Sequence, residues 1–216
     1  MPHFKAIFWD SDGTLVDTEF LYFQSSKMTL AEAGISLSEN WYINETLKKG
    51  TSVFELARQA GKGESDIARL RHLRNTVYRK NLLSKVTILD GVVETLEGLY
   101  GKVLMAVVTS AIPDEFDLIM QKTGLRKYFD FVLTSGDVSR VKPDPEPYLT
   151  AWKMSGFKKE ECLAVEDTER GVVAAKAAGL VCFACPQKLT RTNDFSAADR
   201  TIANVREILN YFPSLH

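Results

Sequence analysis

The sequence predicts an α/β protein: a doubly wound, Rossmann-like parallel sheet core with an inserted α-helical cap domain. Three observations predict it. Short apolar runs recur along the chain, and each gives way to polar or turn residues. Amphipathic, helix-length stretches separate most of them. Residues 16–86 break that alternation with helical pattern and few strand-like runs.

The first run, FKAIFW at 4–9, reads as a buried strand that ends on Asp10. KVLMAVV (102–108), FDFVL (129–133), CLAV (162–165) and LVCFAC (180–185) follow as four more. Residues 113–123 form an amphipathic pattern stopped by Gly124; 146–155 stop at Gly156 and 169–178 at Gly179. Glycine suits these stops because it enters the left-handed turn at a helix end without steric cost. Residues 204–211 read as a closing helix, and 19–33, 52–60 and 65–83 as helices of the insert. The expected division is a catalytic core of 1–15 and 87–216 with a cap of 16–86.

Bulk composition narrows the partners. The 216 residues are 45% hydrophobic, enough to bury a core without staples. Lys plus Arg number 27 and Asp plus Glu 28, for a formal net charge of -1, so no basic excess points to nucleic acid. No apolar run reaches the roughly 20 residues that a bilayer-crossing helix needs, and the opening MPHFKAIFWD carries no long apolar signal segment. A cytoplasmic monomer acting on a small molecule, with no nucleic-acid or membrane partner, is expected. Cys182 and Cys185 have C-x-x-C spacing, but they lie in a strand-like run without a second Cys or His pair, as small core residues do.

The chemistry-bearing residues fall where predicted strands end, the edge at which open α/β sheets bind ligands. The first strand ends in Asp10-Ser11-Asp12-Gly13-Thr14. Two carboxylates this close repel unless a cation or proton intervenes. Magnesium prefers oxygen ligands, and a carboxylate is also a nucleophile toward phosphorus. An isolated D-x-D-G equally suits a surface turn in which Asp12 caps the next segment. Thr109 and Ser110 end the second strand just before Pro113 opens a helix, a setting that favours phosphate oxygens and also structural caps. Lys142, preceding Pro143, is placed to neutralise a phosphate and a nucleophile together, or to be a solvated loop lysine. Glu166 and Asp167 leave the fourth strand together, suited to a cation site or to a helix N-terminus.

Their order is more specific than any one of them. With Asp-x-Asp-Gly-Thr, then Thr-Ser, then Lys-Pro, then Glu-Asp, the chain resembles the haloacid dehalogenase-like superfamily, especially its β-phosphoglucomutase/phosphoglycolate phosphatase-like branch. The resemblance spans nearly the whole chain, including the helical insert after DSDGTLVDTE and the late VEDTERGVVAAKAAG. It implies a magnesium-dependent phosphatase acting on a small phosphorylated metabolite. Asp10 would attack phosphorus. Asp12 would protonate the leaving oxygen and then help to activate water. Thr109 and Ser110 would hold the phosphoryl group, and Lys142 would steady its charge and that of Asp10. Magnesium would be held by Asp10, the backbone carbonyl of Asp12 and the side chain of Asp167, with Glu166 touching the ion or standing directly behind it.

In this family dehalogenases lack the second motif carboxylate, so Asp12 favours phosphoryl chemistry. Thr18, Glu19 and Tyr22 begin the cap where they could face the site. Leu47-Lys48-Lys49-Gly50-Thr51-Ser52 resembles the family's substrate-specificity loop. Thr18 and Lys49 are therefore candidate substrate contacts, although lysines at a helix end are as readily solvated. The alternative activity is a sugar-phosphate mutase. Such mutases carry a histidine in the first cap helix, where this chain has Tyr22. A third reading, a phospholigand-binding protein without catalysis, is disfavoured by the presence of Asp10, Asp12, Lys142 and Asp167 together.

Overall fold

The structure, a computed structural model, describes residues 4–212. Its strands are β1 (Ala6–Trp9), β2 (Leu104–Val108), β3 (Phe131–Leu133), β4 (Cys162–Glu166), β5 (Val181–Ala184) and β6 (Arg200–Thr201). They pair in parallel in the order β3-β2-β1-β4-β5-β6. The register puts Trp9 between Val107 and Val165. Chain direction across the sheet reverses at β1, so a crevice opens at the carboxyl ends of β1, β2 and β4, where such sheets take ligands.

The cap lies between β1 and β2. It comprises α1 (Glu19–Glu32), the short α2 (Glu39–Trp41) running into a π-helical turn (Tyr42–Leu47), α3 (Glu55–Gln59) and α4 (Glu64–Lys85). α1 packs along α4. The cap has its own core, built on Phe23, Leu30, Tyr42, Phe54, Ile67 and Leu70. Leu189, from the loop after β5, is buried in that cluster and ties cap to core. The chain passes between the two layers through a paired neck: Asp17 N donates to Thr87 O at 3.0 Å and Leu89 N to Leu15 O at 3.1 Å. No helix among the described residues is long and apolar enough to cross a membrane.

The remaining helices, α5 (Val92–Leu99), α6 (Pro113–Thr123), α7 (Glu146–Ser155) and α8 (Glu169–Ala177), cover the sheet. Ile7, Trp9, Met105, Val107, Leu163 and Val165 face the side of α5 and α6. Ala6, Phe8, Ala106, Val108 and Ala164 face the side of α7 and α8. Both faces are buried, which is why the strands read as continuous apolar runs rather than as alternation.

The fold class agrees with the sequence reading, and β1 to β5 fall on the five apolar runs. The differences have local causes. β6 is two exposed residues and has no apolar run to announce it. α5 is only eight residues long and carries a glycine, so its pattern is short. The closing segment is a 3-10 helix (Val205–Tyr211), opened by a capping box between Asn204 and Glu207.

Candidate active site

The site begins one residue past β1. Asp10 N donates to Val165 O at 2.9 Å, which extends the sheet ladder and fixes the Asp10 side chain at the crevice. The next residues fold back on themselves: Leu15 N donates to Ser11 O at 2.9 Å and Gly13 N to Val16 O at 2.8 Å. Asp12 is clamped between layers. Thr18 Oγ1, at the start of the cap, donates to its Oδ1 at 2.5 Å, and Thr109 Oγ1, beyond β2, donates to its Oδ2 at 3.2 Å.

Lys142 reaches in from the loop after β3, where the Lys142–Pro143 peptide is cis. It is buried, and its Nζ donates to Asp10 Oδ1 at 2.7 Å, Val108 O at 2.7 Å and Glu166 Oε1 at 2.5 Å. All three ammonium donors are thereby used. Glu166 Oε1 also accepts from the Tyr148 hydroxyl at 2.7 Å, so α7 holds the far side of this pair. Asp167 differs: both of its carboxylate oxygens are buried without a hydrogen-bond partner. Ser110 Oγ is likewise buried and unpartnered.

Burial dominates the electrostatics. It pushes the Asp10 carboxyl up to about 8, with Lys142 opposing and Glu166 and Asp12 adding to the rise. Asp167 is held well above the usual carboxylate range by burial and then by Asp10 and Glu166. Asp12 is raised by burial, against its two threonine hydrogen bonds. For Lys142, burial works against the ammonium, but Asp10 and Glu166 outweigh it and keep its pKa above the ordinary lysine value. Four carboxylates thus crowd one lysine. Ligand oxygens of Asp10, Glu166 and Asp167 lie within 4.8 Å of one another, the geometry of a cation site. A buried carboxylate with neither oxygen satisfied is costly, and a hard divalent ion supplies what Asp167 lacks. The donors present therefore fit magnesium.

Residues 7–185 match the family model of the haloacid dehalogenase-like hydrolases. The chain belongs to that family. It is 33% identical to the protein CbbY of Rhodobacter capsulatus over 93% of each chain. It is 26% identical to the fructose-1-phosphate phosphatase YqaB of Escherichia coli over 82% of this chain and 94% of the other. Its fold matches that of a CbbY variant from Rhodobacter sphaeroides, crystallised with xylulose-(1,5)bisphosphate, at a TM-score of 0.80. That comparison covers 94% of this chain and 96% of that one at 24% identity. The chain is a haloacid dehalogenase-like phosphatase, a phosphoric monoester hydrolase.

In this phosphatase Asp10, Asp12, Thr109, Ser110, Lys142 and Asp167 line one cavity of about 480 Å³ between core and cap. Glu166 lies beneath it, fully buried. The cap candidates separate. Glu19 and Tyr22 line the cavity, and so do Leu47, Gly50, Thr51 and Ser52 from the 47–52 segment. Lys49 is not brought to it; the side chain is 63% exposed and pairs with Glu45 at 2.7 Å, one helical turn away. Thr18 is buried behind Asp12, and its hydroxyl serves that carboxylate.

The sequence reading passed over several lining residues: Tyr42, which donates its hydroxyl to Glu19, and the set Arg71, Arg74, Asn75 and Tyr78 on α4. Their spacing of three, four and seven was a legible signal of one helix face. It was hidden because α4 is polar and its buried stripe includes an arginine.

Proposed function

We propose that this phosphatase hydrolyses a small phosphorylated metabolite in two steps, with Asp10 as nucleophile and magnesium as cofactor. The observation that carries the reading is Asp167: a buried carboxylate with two unpartnered oxygens, set beside the nucleophile that a cation would have to serve. Asp10, Asp167 and the main-chain carbonyl of Asp12 would hold the ion, with Glu166 anchoring Lys142 just behind it. When bound, magnesium would offset the charge of the carboxylates and of the phosphoryl oxygens.

The protein's own residues would do the following. Thr109 and Ser110 orient the phosphoryl group in line with Asp10. A carboxylate oxygen of Asp10 bonds to phosphorus as the bond to the leaving oxygen breaks, and Asp12 gives that oxygen its proton. An aspartyl phosphate results, with Lys142 beside it as counter-charge. Asp12, now ionised, takes a proton from a water whose oxygen attacks phosphorus; Asp10 leaves as carboxylate and phosphate is released. The raised pKa of Asp12 suits a residue that must start as an acid. Residues 16–86 would act as the cap domain over a core of 1–15 and 87–216, excluding bulk water once substrate docks.

Hydrolysis leads over the mutase reading because the side chain at the mutase histidine position is Tyr22, whose ring packs on Tyr78 at 5.2 Å. The test is phosphate release from p-nitrophenyl phosphate with magnesium, lost in excess chelator and in Asp10→Asn. Borohydride reduction during turnover should convert Asp10 to homoserine. A hexose 1-phosphate should yield free hexose and phosphate; accumulation of the hexose 6-phosphate instead would establish the mutase.

A further inference from the structure

Behind Asp167 lies a second cavity, of about 250 Å³, distinct from the one that holds Asp10 and Asp12. It is bounded by the loop after β1, the start of α1 and the loop after β5. Asp17 and Lys188 are exposed at its mouth, Phe20 and Gln187 are half-buried, and Gly13 and Asp167 are buried at its inner end. Glu19 and Asp167 line both cavities and so stand between them.

Asp167 is 1% exposed, and neither of its carboxylate oxygens has a hydrogen-bond partner. Its Oδ2 is the atom that a Cβ on Gly13 would strike, at 2.2 Å. Gly13 lines the smaller cavity and not the larger. One oxygen of the unpaired carboxylate is therefore turned towards the smaller cavity. A buried carboxylate so placed calls for a cation, and the smaller cavity reaches it from the side away from Thr109, Ser110 and Lys142.

The two openings differ in charge. Arg71 is exposed on the larger cavity, and Arg170 stands half-buried in its wall. These charges assist the entry of an anion and oppose that of a cation. The smaller cavity presents Asp17 and Glu19 against Lys188, whose Nζ rests 5.9 Å from the Phe20 ring centroid. Glu19 is held in place by the Tyr42 hydroxyl. The cavity is several times larger than the roughly 30 Å³ share of a water in the liquid. An ion that sheds its waters reluctantly can therefore pass with part of its shell.

We infer that the smaller cavity is the route by which the divalent cation enters and leaves, with Asp17 and Glu19 drawing it inward and Asp167 receiving it. The cation then exchanges without crossing the space that the phosphorylated substrate fills. This rests on the reading of Asp167 as a cation ligand and adds the path to it.

A route differs from a ligand in what it changes. Narrowing a route slows capture and release by the same factor and leaves the affinity alone. Manganese is the probe, because the resonance signal of its free aqua ion gives Kd directly. Mixing the manganese-loaded protein with excess chelator gives the release rate, and that rate divided by Kd gives the capture rate. Lys188→Trp, which sets an indole at the mouth, should slow release about tenfold with Kd unchanged. Asp17→Lys should slow capture about tenfold and Lys188→Glu should speed it, both effects shrinking in high salt. Faster capture in Lys188→Glu cannot come from loss of folding. Arg71→Gln, on the other cavity, should leave capture as it is. Manganese affinity that is no weaker in Asp167→Asn than in the native protein marks failure of the cation reading and takes the route with it. Binding that Asp167→Asn abolishes, with rates that Lys188→Trp, Asp17→Lys and Lys188→Glu all leave unchanged, overturns the route alone. So does capture that quickens only in Arg71→Gln.

Discussion

Gly13 and Asp167 share one space: a Cβ built on Gly13 would stand 2.2 Å from Asp167 Oδ2. Gly13 also has φ 88°, where side chains are rarely tolerated. The glycine therefore serves two ends, turning the loop after Asp12 and leaving room for the carboxylate that lies beside Asp10. Gly13→Ala should shift Asp167 and lower kcat/KM by about 100-fold or more, since displacements near 1 Å cost that much. It should also raise the magnesium concentration for half-activity. Phosphate release measured across a magnesium titration checks this; a native titration curve for the variant would contradict it.

Stability should depend on pH and magnesium jointly. The folded protein raises Asp10 to about 8 and raises Asp167 and Asp12 above the ordinary 3.8. These groups keep protons that the unfolded chain gives up near pH 4. Their contribution is complete below that pH and is lost as pH climbs through about 8. Exposed carboxylates with lowered values, such as Asp90, Glu146 and Glu161, act in the opposite sense, but that effect is already complete above about pH 5. In chelator, the melting temperature should therefore fall from pH 5 to pH 8.5, and added magnesium should raise it more at pH 8.5 than at pH 5. Scanning fluorimetry in the two conditions decides; a magnesium shift that is the same at every pH would speak against the cation site.

Lys142 should be required for folding stability as well as for turnover. It is 4% exposed and is the ammonium between Asp10 and Glu166. Removing one partner of a buried ion pair costs roughly 3–5 kcal/mol, because the other charge is left uncompensated. Lys142→Met should approach that loss at pH 8.5 in chelator. It should lose less at pH 5, where Asp10 can take a proton. Urea unfolding at the two pH values measures the difference, and equal losses at both would show that the pairing with Asp10 is not the cause.

How much of this was readable beforehand follows from where information sits along the chain. The strand tips were legible because each concentrates its chemistry in two to five adjacent residues: Asp10 to Thr14, Thr109 with Ser110, Glu166 with Asp167. What those tips do to one another was not. That Gly13 makes space for Asp167 and that Thr18 donates to Asp12 are consequences of parallel strands and a folded-back neck. Lys49 and Arg74 show the other limit. Lys49 sits in a recognisable loop, yet an i,i+4 partner, Glu45, turns it outward. Arg74 sits in an unremarkable polar helix, yet Tyr22 and Phe54 bury it against the cavity. Sequence spacing identified the helix but not which of its faces a separate helix would cover.

The last prediction concerns Asp12, whose carboxylate is held by two threonine hydroxyls and whose pKa is raised by burial. If it is the acid that protonates the leaving oxygen, its value depends on how much help that oxygen needs. General acids contribute about 10²- to 10⁴-fold. Asp12→Asn should then lose about that much kcat/KM on an alkyl phosphate, whose alkoxide is a poor leaving group, and far less on p-nitrophenyl phosphate, whose phenolate departs unaided. In the proposed two-step reaction the ratio kcat/KM would isolate this first half, because it reports steps only up to the first irreversible one and so would exclude water attack on an aspartyl phosphate. Thr18→Val should show the same leaving-group dependence in weaker form, since it loosens Asp12 without removing its proton. Equal losses on both substrates would take the proton away from Asp12 and leave it a positioning role alone.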